Sequence, residues 1–193
     1  MKIYDAVYTA AVFLQLDELC DGLNSEGFSA SDPSGALTEE QARELDILVR
    51  CCNLVLHELS ESFPLRGQTE VAVRAGGIPY ADLPSGLMHV YGIEQNGKRL
   101  AFTEEADRIA VRGRGKATVL YCVRPPAVCL HDVSPYPADV PSARLLSYGI
   151  AREYCLISGM TDDAALWDGR FTACALDEGR ARREKRVRAR VWR

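Results

Sequence analysis

No apolar run in this chain approaches the roughly 20 residues needed to span a bilayer, so a membrane partner is not expected. Only three His are present, and they are scattered. The seven Cys, at 20, 51, 52, 122, 129, 155 and 174, include no C-x-x-C pair. That spacing argues against a zinc site, and the odd count argues against a disulfide scaffold. Cys51, Cys52, Cys155 and Cys174 fall in helical patterns, where free Cys behaves as a small hydrophobe. The segment from Ala6 to Leu16 lacks the basic leader of a signal peptide and repeats its apolar residues helically. Without export, a reducing compartment is expected.

Recognisable catalytic signatures are missing too. His57-Glu58-Leu59-Ser60-Glu61 begins like the helix motif of zinc proteases but has Glu61 where the second His belongs. Gly113-Arg114-Gly115-Lys116 has the look of a phosphate-binding loop. The Walker pattern, however, needs a Gly and a Ser or Thr where Ala110 and Ala117 stand. No nucleophile elbow and no placed Cys–His pair occurs. These readings imply no enzyme, no catalytic residue, no metal and no cofactor.

What is present is a layout. A first helix is expected over Met1–Leu19, and a Gly/Ser/Asp-rich loop over Cys20–Ala36. Thr38 with Gln41 forms a capping-box pattern that opens a long helix. Its apolar stripe runs Leu45, Leu48, Val49, Cys52, Val55, Leu56, Leu59, Phe63, and Pro64 ends it. The middle is β. Thr69–Arg74, Leu87–Glu94, Lys98–Thr103, Asp107–Arg112 and Lys116–Arg124 read as short strands. Asn96-Gly97 and Gly113-Arg114-Gly115 are placed as two hairpin turns, giving an antiparallel meander or small barrel. Val128–Val140 is a Pro-bearing connector. Pro141–Leu176 then reads as two helices hinged at Gly159-Met160, with Ser142 and Thr161 as caps.

The second helix of that pair has the stripe Ala164, Trp167, Phe171, Cys174. Gly169 inside it points to a bend or a close packing partner. The fold class is therefore α+β with segregated elements. One domain is expected over 1–179, with helices in 1–63, the β-meander in 69–124 and helices in 142–179. A basic arm follows over 180–193.

The first of the closing helices is apolar on nearly every side, so it must be covered on every side, by its own chain or by a neighbouring subunit. Leu146, Ile150 and Tyr154 are the subunit-interface candidates. Charge is split. Residues 180–193 hold eight basic residues and one acid, which leaves 15 basic and 26 acidic residues in 1–179. The body is thus near −11 and the arm near +7, from the same counts. Arg180, Arg182, Arg183, Lys185, Arg186, Arg188, Arg190 and Trp192 are candidates for docking an acidic protein or DNA, since the Arg fork matches carboxylate and phosphate alike. Arg112, Arg114 and Lys116 form a turn that could face a phosphate backbone.

The long helix into Pro64-Leu65, the Ile78-Pro79-Tyr80 segment and Tyr148-Gly149-Ile150-Ala151-Arg152-Glu153-Tyr154-Cys155, with Trp167 and Phe171 beyond, carry a resemblance. In pattern and element order, residues 38–190 resemble the head–tail connector (adaptor) proteins of tailed bacteriophages, including the tail tubular protein A type. The resemblance implies a non-enzymatic virion protein at the head–tail junction, assembled in the host cytoplasm. It implies a homo-oligomeric ring, usually a dodecamer, beneath the portal. Its partners would be the portal protein, downstream neck or tail proteins, and genomic DNA passing through the channel. The arm from Arg180 to Trp192 would reach the portal. The alternative is a DNA-binding packaging or regulatory protein that uses the basic tail. An enzyme with an unrecognised site is a third reading.

Overall fold

The computed structural model describes residues 1–136 and 141–184, apart from the side chains of Ser34 and of residues 181–184. The chain divides into two compact units. One comprises residues 1–63 and 127–193, and the other Pro64–Pro126. Their seams fall at Pro64 and at Pro125-Pro126, residues that cannot continue a helix or a ladder.

The helical unit contains α1 (Ile3–Phe13), α2 (Asp17–Leu23), α3 (Glu39–Ser62), α4 (Ala143–Ile157) and α5 (Thr161–Glu184). The single N-terminal helix expected is in fact two. Gln15 adopts a left-handed φ of 57°, and the chain turns before Asp17 restarts the helix. Part of the expected loop is therefore α2, and Pro33–Gly35 is a short 3-10 turn. The capping box at α3 forms: the Thr38 side chain accepts from the Gln41 backbone N–H, and the Gln41 side chain accepts from Thr38 N–H. At α4, the Ser142 hydroxyl accepts from Leu145 N–H. Gly159 takes φ 75°, ending the turn after α4 as a Gly in the left-handed region can.

α4 is the centre of this unit and packs against α1, α3 and α5. Leu145, Leu146, Ile150 and Ala151 have no exposure. Tight packing is concentrated at Gly149, where a Cβ would sit 2.6 Å from Val55 and 3.0 Å from Phe171. Gly169, by contrast, has nothing within 4 Å of an added Cβ, so it marks no close packing. On α5 the stripe appears as expected, with Ala164, Trp167 and Phe171 buried and Cys174 half-buried. Residues 127–136 are tied down by Asn53 of α3, whose side chain donates to Val128 O at 3.0 Å and accepts from Val128 N–H at 2.8 Å.

The β unit holds two small antiparallel sheets and no closed barrel. The first has the order β1-β7-β3-β4, from β1 (Leu65–Val73), β7 (Gly115–Val123), β3 (Leu87–Gln95) and β4 (Lys98–Leu100). The second has the order β2-β6-β5, from β2 (Ile78–Pro79), β6 (Arg108–Val111) and β5 (Phe102–Glu104). The Asn96-Gly97 hairpin is present, with φ values of 51° and 72° as a type I′ turn requires. The second expected hairpin is not. β6 pairs with β2 and β5, whereas β7 pairs with β1 and β3, so Gly113-Arg114-Gly115 carries the chain from one sheet to the other. Val71, Val73, Ile78, Val90, Ile93, Ile109, Val111, Val119 and Tyr121 form the core.

Candidate functional site

Among the described residues of the helical unit, the buried charge is spent on structure. Arg152 of α4 is buried. Its guanidinium pairs with Glu58 of α3, with Glu153 at 2.7 Å and with Asp168 of α5 at 3.1 Å. It also lies 4.6 Å from the centre of the Phe171 ring. Burial opposes its charge, but the hydrogen bonds to Glu58 and Glu153 outweigh that and hold its pKa above the ordinary value. A planar fork with several donors can satisfy carboxylates on three helices at once, which a Lys could not do with the same geometry. Glu58, although exposed, is thus one arm of an interhelical clamp. Its neighbour His57 is exposed.

A second junction joins α1 to α4 and α5. Phe13 stacks on Tyr148 at 5.5 Å and on Trp167 at 5.2 Å. Ser147 donates to Ala6 O at 2.9 Å.

This packing corrects the interface candidates. Leu146 and Ile150 are fully covered by their own chain, because α4 lies amid three neighbouring helices, and they present nothing to another subunit. Tyr154 is half-buried. The apolar residues that α4 and the following turn do expose are Leu156, Ile157 and Met160. α5 adds Leu166 and Leu176, 54% and 56% exposed.

The cysteines are free thiols. Burial pushes Cys51 and Cys52 up to about 12, which keeps them as unreactive thiols. Among the described residues, no three His, Cys, Asp or Glu side chains gather as a metal-ion group. No described helix is long and apolar enough to cross a membrane.

In the β unit, the β3–β4 turn meets the segment that links the two sheets. Gln95, at the start of the β3–β4 turn, donates to Arg114 O at 2.8 Å and to Lys116 O at 3.1 Å. Gln95 thereby ties the segment that carries Arg114 and Lys116 to the end of β3, a contact that sequence alone does not place. Lys116 pairs with Glu70 at 2.6 Å, which raises its pKa. Arg99 donates to Tyr91 O. Lys98, Arg112 and Arg114 make no ion pair among the described residues, and Lys98 and Arg112 are exposed.

The same unit has an open cleft of about 420 Å³, lined by Tyr80, Pro84, Leu87, Met88, His89 and Glu104. Glu104 accepts from Val90 N–H at 3.2 Å, so its carboxylate already serves the sheet. Desolvation, then Glu104 and Asp107, raise the Tyr80 pKa, so the phenol stays protonated. Nothing in the cleft pairs a nucleophile with a base.

Arg180 lies exposed on α5. The helix continues through Arg182 and Arg183, whose side chains lie outside the described residues, as do Lys185, Arg186, Arg188, Arg190 and Trp192 entirely. No protein-family model matches the chain, and no curated protein matches it.

Proposed function

We propose that the protein is a non-enzymatic structural component of a tailed-phage particle: a connector subunit that forms a ring beneath the portal and links capsid to tail. The observation that carries this reading is α5. It is 24 residues long, buries only Ala164, Trp167 and Phe171 among its described side chains, and runs into the basic segment of the sequence. A helix of that length held by one narrow stripe suits an arm that presents its remaining surface, and the charges beyond it, to a partner. Leu166 and Leu176 on its open side are contacts for such a partner. The element order, N-terminal helices, a β unit and a closing helical pair, supports the same reading. Genomic DNA and downstream tail proteins would be the further partners.

The test is to mix the full chain with its portal protein and examine the product by electron microscopy and native mass measurement. A ring on the portal is expected, and a chain lacking residues 180–193 should fail to dock. No complex with the portal would overturn the proposal.

One observation favours a second reading, DNA binding in its own right: Lys98, Arg112 and Arg114 of the β unit are exposed cations with no ion pair among the described residues. Under it, affinity for duplex DNA falls steeply with salt, with a log–log slope near −0.9 per phosphate contacted. Removing the arm, or replacing these three cations, should each reduce that slope.

A further inference from the structure

The first sheet treats its two outer edges differently. On the β4 side, β4 covers only Ile93–Gln95 of β3. The rest of that edge is blunted. Glu104 takes the Val90 N–H, Arg99 donates to Tyr91 O, and the β3–β7 register is broken by irregularities at 87–89 and 90–92. Bulges and side-chain plugs are the usual means by which an edge is kept from pairing with another chain.

The β1 edge has none of these. All nine residues of β1 pair with β7 in unbroken register, from Leu65↔Val123 to Val73↔Gly115. Among the described residues, no strand and no side chain hydrogen-bonds to its outer side between Leu65 and Ala72. It contains no Pro and no bulge. A regular nine-residue edge is long enough to template another strand.

We propose that this edge pairs with the β1 edge of a second copy, antiparallel about a two-fold axis through Gln68. The side-chain pattern selects both occupant and register. In a continuous antiparallel sheet, opposed residues must point to the same face, so only registers with an even residue sum are allowed. With Gln68 facing Gln68, Arg66 stands opposite Glu70 of the second copy, and by symmetry Glu70 opposite its Arg66. Leu65 faces Val71 on the other side of the sheet. Arg66, Gln68 and Glu70 are all exposed. Edges that resist pairing carry charge of one sign, which repels a second copy. This one carries one charge of each sign, spaced so that they match under a two-fold. Glu70 already holds Lys116, and Arg66 lies 5.5 Å from the centre of the Tyr91 ring, so the partner's charges would join side chains that are partly fixed. An edge-only contact is small, and the dimer is a weak one. The pairing is independent of the ring proposal, since it uses only residues of β1.

The experiment is sedimentation equilibrium of the full chain over a wide concentration range, with charge variants checked for folding by circular dichroism. Wild type should self-associate. Arg66→Glu or Glu70→Arg alone should weaken the dimer about tenfold, because each places like charges opposite one another twice. The double variant Arg66→Glu/Glu70→Arg should restore it. A short bismaleimide should link Gln68→Cys chains far more than wild type or Ala72→Cys, because only position 68 faces itself. A chain that stays monomeric, a double variant no better than the singles, or equal linking at 68 and 72 would each overturn the proposal.

Discussion

α4 is enclosed so fully that Leu145, Leu146, Ile150 and Ala151 have no exposure, whereas β1 buries only Val71 and Val73 of its nine residues. The helical unit puts its apolar surface into one packed centre and spends its buried charge, Arg152, on holding three helices together. The β unit is smaller, divides its strands between two sheets and depends more on turn geometry. Stability therefore rests on side-chain volume in one unit and on backbone conformation in the other. Exposed surface is distributed differently as well: apolar side chains on α5 and the end of α4, an open strand edge and unpaired cations in the β unit.

The largest effect is expected in the helical centre. Leu146→Ala should cost about 3 kcal/mol, the transfer loss plus an unfilled cavity, because three neighbouring helices leave the site little room to collapse. Urea denaturation followed by far-ultraviolet circular dichroism measures this. A loss below about 1 kcal/mol would mean that α4 is not the packing centre of its unit.

Next comes the clamp. Arg152→Met keeps a stem of similar length but leaves the carboxylates of Glu58, Glu153 and Asp168 facing one another without a cation. Removing one partner of a fully buried pair costs about 3–5 kcal/mol. Glu58 and Asp168 are about half exposed, so solvent screens part of that penalty. A loss of about 2 kcal/mol is expected by the same denaturation. Arg152→Lys should recover only part of it, since one ammonium cannot reach three helices in the same geometry. Full recovery by Lys would show that charge alone, and not the fork, holds the helices.

The long helix α3, its capping box and the closing helical pair were legible in the sequence because their signals are local: a cap residue, a 3.6-residue stripe, a Pro or Gly stop. The Asn96-Gly97 turn was legible for the same reason. The partition of strands between two sheets was not. β6 and β7 are adjacent in sequence and separated by a glycine-flanked turn, which is the pattern of a hairpin. Only long-range pairing, β7 with β1 and β3, decides otherwise. Leu146 and Ile150 were misjudged for a related reason. Periodicity reports that a residue needs covering but not whether its own chain supplies the cover. Arg152 lay within the segment that carries the family resemblance, yet its partners on the other helices, Glu58 and Asp168, are 94 and 16 residues away, so no spacing rule could assign it the clamp. The split of α1 from α2 hangs on one left-handed residue, Gln15, a type that rarely adopts that conformation.

The smallest effect, and the one that separates the two units most cleanly, is expected at the β3–β4 turn. Gly97 has φ 72°, and an added Cβ would meet nothing within 4 Å. Gly97→Ala therefore changes no packing, and its cost is the left-handed backbone penalty alone, about 1 kcal/mol. β4 is only three residues long and is held to β3 through this turn, so the loss should appear there first. Amide hydrogen exchange should show faster opening for residues of β3 and β4, with α4 protection unchanged. If α4 lost protection to the same extent, the two units would unfold as one cooperative body, and the division of labour between packing and turns would fail.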